Sequence, residues 1–189
     1  MRYYGSSLIP VVLLSLGVAP GLSAENSLGA RPPGDVFVAD QAELIQTESQ
    51  TRLNGLAKTL LQDADIELLT VTVPSLDGVP IDVRTNTLFD QWRIGRLTKA
   101  NRGLLLVVAA QEQLVRFEVS YGLEGFFTDA FISYIEREQM VPYFAHHMIG
   151  EGVEATVELI ARQAFQTVSG KAYDPAAAGP TDIGGYRTG

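Results

Sequence analysis

Along this chain the spacing of apolar positions switches between helical and alternating, and each switch marks an element. Leu44, Leu53, Leu56, Leu60 and Ala64 fall near one helical face, and Asp40 with Glu43 three residues later resembles a capping box, so a helix is predicted over 41–62. Ile66 to Val73 is rich in β-branched residues and stops at Pro74, with Asp77-Gly78 as a turn, which predicts a strand. Ile81, Thr85, Leu88 and Trp92 give a second helical face ending before Gly95. Leu104 to Ala110 is an almost continuous apolar run, as in a central strand covered on both faces. Val115, Phe117, Val119 and Tyr121 then alternate with Arg116, Glu118 and Ser120, the mark of a half-exposed strand reached through a short hairpin at 111–113. Phe117 faces inward in that pattern and Arg116 outward, so Phe117→Ala is expected to be costly and Arg116→Ala nearly neutral. Phe131, Tyr134, Ile135 and Val141 make a third helix that stops at Pro142, and Ile149 to Val168 a fourth.

The order helix, strand, helix, strand, strand, helix, helix predicts a small α/β sandwich. Its mixed sheet should combine a right-handed parallel crossover from Ile66 to Ala110 with an antiparallel hairpin strand, with helices packed on the sheet. That topology gathers Asp63, Asp65, the loop 92–102 and the loop 121–129 at one pole. Asp40, Ser75, Asp77 and Glu112 fall at the other.

The ends of the chain change the picture of where the domain works. Met1-Arg2, the apolar run from Leu8 to Ala19 and Leu22-Ser23-Ala24 have the form of a secretory signal peptide over 1–24, shorter than the ~20 apolar residues of a membrane span. Residues 25–35, with Arg31-Pro32-Pro33-Gly34, read as a flexible leader, 36–169 as the folded domain, and 170–189 as a flexible tail. The mature chain is therefore expected to be periplasmic or secreted and to carry no membrane span. With 14 Lys and Arg against 22 Asp and Glu, a net charge of −8, it lacks the basic balance of a nucleic-acid binder. It has no cysteine, which removes disulfides, thiolate metal sites and thiol nucleophiles together, and its two histidines are adjacent.

Chemistry therefore falls to oxygen ligands. Asp65, Asn101, Glu124 and Asp129 lie on segments brought to one pole and suit a hard divalent cation, calcium or magnesium, with no organic cofactor implied. The alternative is structural, with Asp129 complementing the start of the third helix beside Thr128, and Asp65 and Glu124 as solvated loop charges. Lys99 and Arg102 nearby serve either to balance these acids or to accept a phosphate. No serine stands in a nucleophile-elbow pattern, and Gly122 to Gly125 lacks the Lys and Ser/Thr of a phosphate loop. His146 and His147 are taken as solvated or capping, and Trp92 as core.

A series of motifs adds a resemblance. Phe89-x-x-Trp92-x-Ile94-Gly95, Asn101-x-Gly103 with Leu104 to Val107, Arg116-x-Glu118-x-x-Tyr121-Gly122-Leu123-Glu124-Gly125-x-x-Thr128-Asp129, Pro142-x-Phe144 and Gly150-x-Gly152 together resemble the TPM domain over 36–169. The family includes bacterial envelope proteins and a thylakoid lumen protein linked to photosystem II repair and described as an acid phosphatase. The resemblance implies an accessory module that binds an envelope or membrane-complex protein, with a calcium-type metal site. A metal-assisted phosphomonoesterase is the alternative it implies. Ala100-Asn101-Arg102-Gly103 departs from the family's acidic-Asn-Gly pattern by lacking the carboxylate.

Overall fold

The computed structural model describes residues 29–170. The signal peptide read at 1–24, the start of the leader and nearly all of the tail lie outside the described residues. Four strands form one sheet in the order β1-β2-β3-β4: β1 Val38–Asp40, β2 Glu67–Val73, β3 Gly103–Ala109 and β4 Leu114–Val119. β1 and β3 both run parallel to β2, and β4 returns antiparallel to β3 with Leu106 opposite Phe117. The helices are α1 Thr47–Ala64, α2 Ile81–Gln91, α3 Asp129–Tyr134, α4 Val141–Ala145 and α5 Ile149–Ala164. A mixed sheet with helices packed on it, the parallel crossover and the antiparallel hairpin are the architecture that the pattern predicts.

Alternation along the inner strands splits the interior in two. Leu68 of β2 points with Leu104, Leu106 and Val108 of β3 and Val115 and Phe117 of β4 toward Leu53, Leu56 and Leu60 of α1 and Val153, Val157 and Ile160 of α5. Leu69, Val71, Leu105 and Val107 point the other way, onto Leu88, Trp92, Ile94 and Phe37. Every residue of β2 and β3 is buried, and β3 accordingly reads as an apolar run. Trp92, 4% exposed, fills the second core.

Three features depart from the pattern. α1 begins at Thr47 because the Asp40 carboxylate is not a helix cap. It accepts the backbone N–H groups of Leu44 (3.1 Å) and Ile45 (2.8 Å), the Gln50 amide (3.2 Å) and the Thr72 hydroxyl, which gathers 41–46 into a loop with Glu43 at positive φ. Just before that loop, β1 adds a strand absent from the expected order. The third helix is also divided: α3 runs on through a wider π-type segment Ile135–Gln139, and Pro142 then sits in the first turn of α4 rather than ending a helix. His146 consequently caps the C-terminal end of α4.

Arg116 is not an isolated surface charge. Its guanidinium lies 3.3 Å from Asp82, 3.1 Å from Glu136 and 3.6 Å from Glu118, and two-thirds of the side chain is covered. Glu136 also accepts the outward-facing N–H of Phe117 at 3.1 Å, joining the segment after α3 to the sheet edge. On the other side of the same layer Arg52 of α1 clamps α5 through Glu154 (2.5 Å) and Glu158 (3.7 Å).

Candidate functional site

The pole predicted to carry chemistry is built by close backbone approach. A Cβ on Gly122 would lie 2.4 Å from the carbonyl oxygen of Ala100, and one on Gly103 2.6 Å from the nitrogen of Gly95, so only glycine lets these loops meet. Ser120 fastens them, donating to the Asn101 carbonyl (2.6 Å) and accepting the Gly103 N–H (2.7 Å). Asn101 itself takes φ +52°, a left-handed conformation that asparagine tolerates better than most residues. The juxtaposition of the loops after α2 and β4 is therefore real, and it follows from the crossover and hairpin.

Within that pole the four expected ligands separate into two groups. Asp65 caps the end of α1 in the left-handed conformation, and both its carboxylate oxygens accept the Lys99 N–H, at 3.0 and 3.1 Å. Asn101 lies on the same loop, its side-chain oxygen turned toward Gly95. Glu124 and Asp129 instead line a polar cavity of about 470 Å³ with Glu118, Glu136, Arg116 and Arg137. Burial pushes the Glu118 carboxyl up, against the pull of Arg116 and with the help of Glu136. Thr128 caps α3 by accepting the Phe131 N–H at 3.3 Å, with Asp129 as the acid of the first turn. No group of three or more His, Asp or Glu side chains among the described residues stands together as a metal cage. The four residues therefore stand as two groups, Asp65 on the Lys99 amide with Asn101 turned toward Gly95, and Glu124 with Asp129 in the cavity.

The opposite pole is structural. Glu112 in the hairpin accepts the Leu76 N–H and the Ser75 hydroxyl, both at 2.9 Å, and the Leu76 bond chiefly holds its carboxyl below the ordinary range, with burial acting against it.

A second concavity lies on the helical side. It holds about 360 Å³ between α3, α4 and α5, with Tyr134, Pro142, Tyr143, Met148 and Leu159 as its apolar walls. Glu138, Glu158, Arg162 and His146 complete it. Burial raises the Glu158 carboxyl although Arg52 opposes it, and burial with the charges of Glu151 and Glu158 raises the Tyr143 hydroxyl. Tyr134 and the neighbouring Val141 are 46% and 52% exposed, so the apolar surface extends past the rim. Ala155, Glu158, Leu159 and Arg162 share one face of α5 by their helical spacing, the one trace of the groove in the sequence.

The TPM domain model matches residues 38–163. Among solved structures, the N-terminal domain of a protein from P. gingivalis is 30% identical, with 71% of this chain and 85% of that one covered and a TM-score of 0.66. The N-terminal domain of a Corynebacterium glutamicum protein is 14% identical over 72% of this chain and 85% of its own, with a TM-score of 0.54. The protein BA42 from the psychrophilic bacterium Bizionia argentinensis is 14% identical over 67% and 85%, with a TM-score of 0.56. The last two share the fold alone. No curated protein matches the chain. The matched region takes in the whole sheet and almost all of the helical layer, and the chain belongs to the TPM domain family.

Proposed function

We propose that this chain is an exported accessory module of the cell envelope that binds a protein partner through the groove between α3, α4 and α5. The observation that carries this reading is the groove's composition: exposed Tyr134 and half-buried Tyr143 and Leu159 among its apolar walls, edged by Glu138, Glu158, Arg162 and His146. Amphipathic aromatic side chains of this kind supply much of the energy at protein interfaces. Glu138 on that edge favours a partner segment that places a basic residue beside an apolar one, Glu158 being already paired with Arg52. No described helix is long and apolar enough to cross a membrane. A divalent cation belongs to this proposal only at Glu124 and Asp129, the two expected ligands that share a cavity.

The test is site-specific photocrosslinking in the native envelope, with the reactive group at Tyr134 on the rim. One discrete adduct is expected, weakened at least about tenfold by Leu159→Arg, which places a cation on the groove wall. An adduct that forms equally well with Leu159→Arg would overturn the reading. Hydrolysis of p-nitrophenyl phosphate by the purified chain that disappears with Asp129→Asn would replace it with the phosphatase reading.

A further inference from the structure

Glu67 is the first residue of β2 and its side chain has no solvent exposure, yet it is ionisable in a strand otherwise filled by Leu, Thr and Val. Its carboxylate cannot turn outward, because one oxygen accepts the N–H of Gly95 at 2.7 Å and, at the longer distance of 3.4 Å, that of Leu97. Its backbone N–H is fixed too, donating to the Arg102 carbonyl at 2.9 Å. The other carboxylate oxygen pairs with the guanidinium of Arg31, from the segment that precedes the first strand. The second arm of that guanidinium donates to the carbonyl of Trp92 at 2.6 Å. A carboxylate and a carbonyl thus stand at the spacing of the two arms of one planar fork, which a guanidinium spans and a compact ammonium does not.

The segment that supplies the arginine is attached like a bound peptide. Arg31 and Pro32 are half-buried, Pro33 to Asp35 are exposed, and a turn closed by the Val36 N–H on the Pro33 carbonyl (2.8 Å) leads back to Phe37 in the core. Beyond the slot, Glu67 holds the start of the loop that carries Asn101 and reaches Gly122. We infer that the slot between Glu67 and the Trp92 carbonyl is an arginine-binding site, that residues 29–35 fill it as a ligand in cis, and that its occupancy sets the order of the loop 92–103. Its ligand class is the guanidinium of an extended Arg-Pro segment. A buried carboxylate whose partner is withdrawn is strongly disfavoured, so an emptied slot either takes another arginine or releases its hold on the loop. Hydrolysis of the exposed Gly34–Asp35 peptide bond by a protease, water supplying the new carboxylate and amine ends, would separate Arg31 from the fold and turn the internal ligand into an exchangeable one. This inference rests on no part of the groove proposal, whose crosslink reads a different face.

The experiment uses the full chain with Arg31→Ala, amide exchange at Gly95 and Leu97 followed by NMR, and a labelled peptide with the sequence of residues 29–35, Gly-Ala-Arg-Pro-Pro-Gly-Asp. Exchange at both amides is expected to rise by about tenfold or more on loss of the charge-assisted contact. The peptide should bind the variant and restore protection, while the same peptide with alanine for arginine does neither. Wild type, its slot filled at the high effective concentration of a tethered segment, should bind the peptide at least about tenfold more weakly. Should Arg31→Ala fail to fold, Arg31→Lys keeps the charge but not the fork, and its Gly95 and Leu97 amides are expected to exchange faster than in wild type. Unchanged exchange in the variant that is measured, or equal binding of the arginine and alanine peptides, would overturn the assignment.

Discussion

Replacing Phe117 by alanine tests the register of the edge strand and the larger core together. The side chain is 1% exposed and meets Phe127 edge-on at 5.9 Å and 70°, and Phe127 in turn meets Phe131 at 5.6 Å and 63°. The three rings tie β4 to the following loop and to α3. Removing a fully buried ring costs about 3 to 5 kcal/mol through lost transfer energy and the cavity left behind. Of this, about 0.5 to 1.5 kcal/mol is the ring pairing itself. At a urea m-value near ~2 kcal/mol per molar, the midpoint should fall by roughly 1.5 to 2.5 M with the slope unchanged. Phe117→Leu keeps most of the volume and should cost under ~1.5 kcal/mol. Arg116→Ala leaves Glu118 and Glu136 facing each other without their shared cation. It should cost roughly 1 to 2 kcal/mol, more than an exposed ion pair and less than a fully buried one. The assay is urea unfolding of the three variants by circular dichroism. Arg116→Ala proving more damaging than Phe117→Ala would refute the reasoning, because a shift of one residue exchanges the two faces.

Gly103→Ala forces a methyl group against the backbone of Ile94 and Gly95, and should lower stability by about 1 to 3 kcal/mol in the same assay. The depressed carboxyl of Glu112 contributes stability above its ordinary pKa that is lost as pH falls through the lowered one, so Glu112→Gln should flatten the acid side of a plot of urea midpoint against pH. Glu118 acts with the opposite sign: its raised carboxyl makes the fold lose stability as pH climbs from the ordinary value through the raised one, so Glu118→Gln should gain on wild type as pH rises through that interval. Calcium at ten times its dissociation constant should stabilise the chain by roughly 1.4 kcal/mol in a thermal melt. Asp129→Asn should remove that shift and Asp40→Asn, at the far pole, should leave it in place; no shift with wild type would retire the cation from the proposal.

The parts of the fold legible in the sequence are those whose burial repeats. β2 and β3 are buried throughout because both faces are covered, β3 being apolar along its length and β2 apolar or β-branched after Glu67, and β4 alternates because it lies at an edge. β1 has three residues, too few to show a period, and it exists through its parallel pairing to Thr70, Val71 and Thr72. Asp40 misled for a related reason. Its spacing to Glu43 suits a helix cap, but Thr72, more than thirty residues along, takes part in holding that carboxylate. At the candidate site the topology told which loops meet, while the allocation of Asp65 to the Lys99 amide depends on loop geometry that no residue type encodes. The groove was hidden because Tyr134, Tyr143 and Leu159 come from three elements and form no motif in sequence.

The carboxylate of Glu136, set on the Phe117 amide, has a consequence for how this domain can be approached. An open strand is a template onto which any extended chain can add itself. Here one margin of the sheet has its central donor occupied and Arg116 and Glu118 standing along it, while the other margin is only three residues long. Recognition by lending a strand is therefore closed at β4 and scarcely open at β1. What associates with this domain must read side chains rather than backbone, and so can be selective in a way that strand addition, which any extended sequence satisfies, is not.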